Sequence, residues 1–353
     1  MDFNLDETQT EIRTLAADLL TREVTPARLE AHEKGGSPYD AELWRALAKA
    51  GLLGICLPDS AGGAGFGPVE LAVILREAGA RVAPVPLAAS LVAGLTIAQH
   101  GTDAQREALA PLAEGEIVLT YALREPGADL HDRPRTTATG DRLTGRKSLI
   151  SYARESAKIL VSADTGDGVR LYLVDPADVE ITGTPLSTGE PGSVITLNDT
   201  PGEPVGDTRA HDALRLNALA AITATASGVL SGALKLTTEY IRTRRQFDRA
   251  LAEFQAVTVQ IADVYIAGRV LDVAVWSGAW RLAQGLPAEE DLAIAALHTA
   301  DSALRALYTC QHLHGGIGLD VSYPLHRYFA WGKHAAHLIG GAEAQLNLIG
   351  ALV

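Results

Sequence analysis

Between residues 242 and 249 the chain reads RTRRQFDR, four arginines around one phenylalanine, Phe247. Guanidinium groups at this density could meet an anion, but a basic run at a helix end is ordinarily a solvated surface. Further on, HLHGGIG (312–318) places two glycines behind a pair of histidines. A glycine pair after a helix reads first as a C-terminal cap. His312 and His314 are two residues apart and do not share a helical face, so satisfied histidines are expected and no metal site. Cys56 and Cys310 lie far apart in sequence and read as two free, buried thiols of a reducing cytoplasm.

These groups must be carried by more than one small core, because 353 residues exceed what a single compact core organises. Apolar residues make up 47% and charged residues 21%, an ordinary globular balance. The formal charge, 30 − 43 = −13, speaks against a nucleic-acid surface and names no substrate. The opening MDFNLDETQTEIRTLAADLL is acidic and amphipathic, without the basic flank and apolar block of a secretory signal. LNALAAITATASGVLSGAL (216–234) is the most membrane-like stretch. Its Ala, Ser, Thr and Gly content, and Asn217, predict a helix packed against protein.

Periodicity divides the chain into three. Residues 1–116 predict a helical domain: Phe3, Leu5, Ile12, Leu15, Leu19 and Leu20 form a helical stripe. A Pro/Gly break follows, then helices at AELWRALAKAGLLG, LAVILREAGARVA and VPLAASLVAGLTIAQHG. A short fifth, TDAQREALAPLAEGE, is capped by Thr102 or Asp103. Residues 117–208 predict an antiparallel β domain, with short Val-, Ile-, Leu- and Thr-rich runs divided by Gly, Asp and Pro. Residues 209–353 return to helix near 211–246, 250–284, 288–312 and 324–351.

Local sequences narrow this order. LPDSAGGAGFGPVELAVILREAGARVAPVPLAAS (57–90) resembles the Pro-x-x-x-Gly-Gly-x-Gly loop, helix and Ala-Pro-x-Pro turn of the acyl-CoA dehydrogenase family. ALREPGA (122–128) is similar to its Leu-Thr-Glu-Pro-Gly-Ala segment. LTGRKSLISYA (143–153) is similar to its Leu-Asn-Gly-x-Lys-x-x-Ile-Thr-Asn strand. EYIRTRRQFDRALAEFQAV (239–257) resembles its long helix and turn with Arg-x-x-Phe-Gly. HLHGGIGLDVSYPLHRYF (312–329) resembles Gln-x-x-Gly-Gly-x-Gly-x-x-x-x-x-Pro-x-x-Arg. The five matches come in the family's order and span nearly the whole chain. The implied architecture is α+β: an N-terminal helical domain, a middle antiparallel β-barrel-like domain and a C-terminal four-helix bundle.

The resemblance also implies FAD as cofactor, bound between subunits, its ring against one chain and its pyrophosphate and adenine on a neighbour. On that basis Arg244 would meet the pyrophosphate, since a guanidinium fork can bond two phosphate oxygens. Phe247 would pack on the adenine, and Gln255 and His312 would lie along the nucleotide. Gly315 and Gly316, without Cβ atoms, would let backbone N–H groups approach phosphate oxygens.

Several positions depart from the family pattern. The family abstracts an α-proton with a glutamate in a Tyr-Glu-Gly-Thr turn, and here LIGGAEAQL puts Gly340 at that place. A minority carries the base on the long helix beside an arginine; counted back from Gly228, those positions are Ala218 and Leu219. Glu343, three residues beyond Gly340, reads as a surface glutamate lying about one helical turn further on. On the flavin-ring side, the family's Thr is Arg124, its Gly-Ser-Asp is within DLHD (129–132), its Ile-Thr-Asn is Ile150-Ser151-Tyr152, and a further Thr is Ala342.

Loss on the ring side with retention on the nucleotide side points to the non-catalytic chain of a cytoplasmic α2β2 acyl-CoA dehydrogenase, as in actinobacterial steroid side-chain degradation. Its catalytic homologue would supply the base, an acyl-CoA would be the substrate, and an electron-transferring flavoprotein the acceptor. Neither nucleic acid nor membrane is an expected partner. Two alternatives stay open: a homotetrameric dehydrogenase using Glu343 or Asp320 as base, and a flavin-free acyl-CoA-binding or scaffold protein.

Overall fold

The computed structural model describes residues 3–352; Met1, Asp2 and Val353, at the outer ends of the first and third expected segments, lie outside the described residues. Seven helices come first: α1 (Glu7–Glu23), α2 (Pro26–Gly35), α3 (Ala41–Lys49), α4 (Pro68–Gly79), α5 (Leu87–His100), α6 (Asp103–Glu107) and α7 (Ala110–Ala113). Eight strands follow: β1 (Leu119–Ala122), β2 (Thr137–Thr139), β3 (Arg142–Ser151), β4 (Lys158–Asp164), β5 (Val169–Val174), β6 (Glu180–Pro185), β7 (Pro191–Pro201) and β8 (Glu203–Val205). Then come α8 (Thr208–Thr243), a small ribbon of β9 (Arg245–Gln246) and β10 (Arg249–Ala250), α9 (Gln255–Ala283), α10 (Glu289–His298), α11 (Leu304–His314), α12 (Leu325–Leu338) and α13 (Gly341–Leu352).

Several expectations change in detail. Residues 26–35, read as a Pro/Gly break, form α2: Pro26 stands at its first position, where a missing N–H costs nothing. Thr102 does cap the fifth expected helix, in a reciprocal box with Gln105, but that segment divides into α6 and α7. The turn after α8 is a β-ribbon. The C-terminal part is helical as expected; its segment near 288–312 contains a π turn at Thr299–Ala303, and its last is divided at Gly340–Gly341.

The chain forms two compact units, one of Ala27–Leu71 with Pro84–Ala221, the other of Met1–Pro26, Ala72–Ala83 and Ile222–Val353. In the first, the strands pair in the order β6-β7-β3-β2-β4-β5-β8, with β1 added to β4. Most pairs are antiparallel, but β1–β4 and β2–β4 are parallel, so the sheet is mixed and not purely antiparallel. Alternate residues of β3, β4, β5 and β7 (Leu143, Ile159, Val161, Tyr172, Val174, Ile195 and Leu197 among them) bury one face. Between Lys147 and Ile150 β3 carries an extra residue against β7, where Leu149 takes φ 56°.

In the second unit α4 and α8 meet backbone to backbone, since a Cβ on Gly228 would collide with the Arg76 carbonyl. Arg76 forms a bidentate pair with Asp272 of α9 (2.9 and 3.0 Å), and the Ser227 hydroxyl donates to the same carboxylate. By length and composition α8 could cross a membrane, but 67% of its most apolar stretch is buried inside the protein, as a core helix requires.

Candidate functional site

Arg244 follows α8. Its N–H donates to the Tyr240 carbonyl (2.8 Å), and its own carbonyl accepts from Leu251 N–H (2.9 Å), which fixes the start of the ribbon. Arg249 pairs with Gln246 and Ala250 with Arg245, leaving Phe247 and Asp248 as a two-residue turn. Both have positive φ, 52° and 64°, the sense that matches strand twist in such a turn. Phe247 is thereby thrust outward and is 88% exposed. Arg249 lies 3.9 Å over the Phe254 ring. The Arg244 side chain is exposed and makes no ion pair among the described residues. Gln255 is exposed at the first position of α9, whose N-cap, Phe254, supplies no side-chain cap.

His312 is exposed in the last turn of α11, and Gly315 ends that helix at φ 62° and ψ −142°, a conformation reserved for glycine. Gly316 is exposed with open space where a Cβ would stand. This turn and the ribbon are brought together by Tyr240, which lies one helical turn before Arg244 and stacks on His314 at 4.4 Å. Gln255 makes no described contact with the turn. Tyr240 is not announced by its residue type; its local signal is the four-residue spacing from Arg244 on one helical face.

Of the positions expected beside the flavin ring, Arg124, residues 129–132 and Ile150–Tyr152 lie in the first unit and Ala342 in the second. Glu125 is buried and accepts from Thr136 N–H (2.9 Å), Thr136 Oγ1 (2.7 Å) and Lys147 Nζ (3.0 Å). Burial raises its pKa, but the Thr136 and Lys147 bonds outweigh that and hold the carboxyl at about 2. Lys147, fully buried, also donates to Ser162 Oγ (3.0 Å), and burial pushes its ammonium down to about 8 against the pull of Glu125. The Arg124 side chain is only 14% exposed and folds back to donate to the Ala128 carbonyl (2.8 Å). Tyr152 is 1% exposed at φ 58°. Its hydroxyl donates to Glu190 Oε1 (3.1 Å), whose other oxygen accepts from Thr188 Oγ1 (2.9 Å), and Tyr39 packs edge-on against its ring at 6.1 Å. Burial first, and then Glu190, push the Tyr152 phenol well up; burial raises Glu190 too, opposed by Thr188 and Tyr152.

The positions at which the resemblance leads one to expect a base, Gly340, Ala218 and Leu219, carry no carboxylate. Gly340 lies in a turn at φ 82°, followed by Gly341 at φ 78°. Ala218 and Leu219 are buried at 0% and 3%. Glu343 is exposed in the first turn of α13, a helix that begins only at Gly341, so the helical-turn relation to Gly340 does not hold. Asp320 is exposed, and the Ser322 N–H and hydroxyl pull its pKa down, the opposite of what a base working near neutrality needs.

Residues 6–116 match the model of the acyl-CoA dehydrogenase N-terminal domain and residues 212–353 that of the C-terminal domain. The chain belongs to the acyl-CoA dehydrogenase family. That family consists of FAD-dependent oxidoreductases acting on a CH–CH bond. Acyl-CoA dehydrogenase FadE28 of Mycobacterium tuberculosis is 36% identical over 99% of this chain and 98% of its own. Among solved structures, a variant of the Tcur3481–Tcur3483 steroid ACAD superposes with a TM-score of 0.93 at 41% identity, covering 98% of this chain and 97% of that one. The ChsE4–ChsE5 complex from Mycobacterium tuberculosis gives 0.93 at 33% identity, covering 99% and 98%. Both are named as pairs of unlike chains.

Proposed function

We propose that this chain is the non-catalytic subunit of an α2β2, FAD-dependent acyl-CoA dehydrogenase. It would offer pyrophosphate and adenine contacts to a flavin whose ring and base belong to a homologous partner. The carrying observation is a contrast in exposure between the residues expected at the two ends of a flavin nucleotide. Phe247, the Arg244 guanidinium and the Gly315–Gly316 turn are presented outward, as a site for an aromatic base and a diphosphate needs. Arg124 and Tyr152, in contrast, are packed on their own chain where ring contacts would be, and Gly340 has no proton acceptor. The nucleotide end fits FAD and the ring end does not. When bound, FAD supplies the hydride acceptor; this chain's residues would only hold and orient its phosphates and adenine.

Association with a second chain is supported by α9, which exposes Val259, Ile266, Val270 and Val273 at three-, four- and seven-residue spacing, an apolar stripe that calls for a cover. The two-chain names of the structural neighbours favour an unlike chain. The words "steroid ACAD" in the name of one neighbour support an acyl-CoA substrate of steroid type; a side-chain thioester, an electron-transferring flavoprotein as acceptor and a cytoplasmic setting follow from the family resemblance.

The test is the flavin-to-chain ratio. Purified alone, the chain should be colourless and inactive; co-expressed with the homologous catalytic chain, it should yield one FAD per two chains. Arg244→Ala should lower FAD affinity of that complex by about 10–100-fold, the loss of a charge-assisted hydrogen bond worth roughly 1.5–3 kcal/mol. A yellow, active protein from this chain alone, or a colourless complex, would overturn the proposal.

A further inference from the structure

Tyr240, His314 and Tyr323 form one cluster that the nucleotide contacts do not use. His314 is 3% exposed. Its Nδ1 lies 2.8 Å from the Cys310 carbonyl, an acceptor only, so Nδ1 carries the proton. Nε2 then accepts the Tyr323 hydroxyl (3.2 Å) in a neutral ring. Burial lowers the pKa of His314, against the Cys310 bond, which keeps that tautomer at neutral pH. Tyr240 stacks on the imidazole at 19°, and its hydroxyl donates to the His314 carbonyl (3.3 Å), the last one before the Gly315 turn. The Tyr240 carbonyl in turn accepts Arg244 N–H (2.8 Å). Tyr323 meets Tyr240 edge-on at 6.3 Å and closes the group.

This geometry ties two peptide segments 74 residues apart through side chains that reach neither Phe247 nor the exposed face of the glycine turn. One bond holds the last carbonyl before Gly315, another the amide of Arg244. We infer that Tyr240 and His314 are positioning residues: they fix the spacing between the Arg244–Phe247 ribbon and the Gly315–Gly316 turn, so that one diphosphate-linked adenine nucleotide can touch both. The inference rests on the nucleotide-end reading proposed above. A protein that merely needed packing here could use an apolar pair; a hydrogen-bonded imidazole, with one tautomer and a stacked phenol, sets a distance as well as filling space.

The experiment uses the complex with the catalytic chain and measures FAD dissociation constants by flavin fluorescence, beside the melting midpoint and the flavin absorption spectrum. Tyr240→Phe keeps the stack and loses one hydrogen bond, and should weaken FAD about 3–10-fold. His314→Phe keeps an aromatic ring and loses both ring bonds, and should weaken it more. The flavin spectrum should not change, because the ring lies in the partner's pocket. Lowered melting with unchanged FAD affinity in both variants would reduce the cluster to packing and overturn the inference. Arg244→Ala serves as the control. If it weakens FAD while the Tyr240 and His314 variants do not, only this inference fails; if it too leaves FAD unaffected, the underlying reading fails with it.

Discussion

Phe247 and Tyr152 are both large aromatics held at positive φ, 52° and 58°, each just past the end of a β-strand. One is 88% exposed and the other 1%. Burying a phenylalanine ring stabilises by roughly 1.5–3 kcal/mol, so a turn that spends left-handed backbone on keeping it in water forgoes that gain. The exposed ring is flanked by Arg244, Arg245 and Arg249, while the buried phenol has a carboxyl, a hydroxyl and a second tyrosine arranged around it. The same local strain therefore presents a surface in one unit and closes one in the other. Strain kept at an outward residue makes sense where a ligand completes the contact, whereas strain kept at an inward residue completes the fold itself.

The largest test of that contrast is Lys147→Met. It leaves Glu125 as a buried carboxylate without its ammonium and should destabilise the first unit by about 3–5 kcal/mol in urea denaturation. Arg244→Ala should change stability by no more than about 0.5 kcal/mol, since that side chain is exposed. Equal losses from the two substitutions would erase the distinction between a sealed and a presented end.

Acid gives a second, smaller separation. Glu125 is held at about 2 against an ordinary 4.5, so its contribution is complete above pH 4.5 and lost as pH falls towards 2. Its worth is roughly 3 kcal/mol. Urea midpoints between pH 5 and pH 2.5 should therefore fall steeply in the wild type. In Glu125→Gln, less stable at the outset, they should fall less; parallel curves would mean the carboxyl is not what acid releases.

How far this contrast was legible in the sequence depends on the distance between partners. The β character of 117–208 is readable, because alternation and β-branched residues act locally. The direction of β1 is not, since pairing Leu119 with Lys158 is decided by where a distant segment lands. Helix α2 was hidden by Pro26, which reads equally as a breaker or as a first helical residue. The substitutions at Arg124, Tyr152 and Gly340 were visible one by one. That Glu190 caps Tyr152 from 38 residues away, or that His314 meets Tyr240 from 74, depends on tertiary packing that no window of sequence contains. The turn at 247–248 was obscured for a different reason: Phe-Asp lacks the Asn-Gly chemistry that announces such a turn.

That last mismatch yields the smallest prediction. Asp248 holds φ 64° where glycine would be unstrained, and its only described hydrogen bond uses the backbone carbonyl, which accepts from Arg245 Nη2. Asp248→Gly preserves that acceptor and relieves the left-handed strain, while glycine's greater freedom in the unfolded chain takes back part of the gain. A net stabilisation of about 0.5 kcal/mol follows, read as a small rise in the melting midpoint, with FAD affinity of the complex within about twofold. No such relief is open at Tyr152, where glycine would ease φ but empty a fully buried phenol at a cost of about 3–5 kcal/mol. Should Asp248→Gly destabilise instead, the aspartate side chain must itself hold the turn, and the ribbon's shape would depend on residue type and not only on its backbone register.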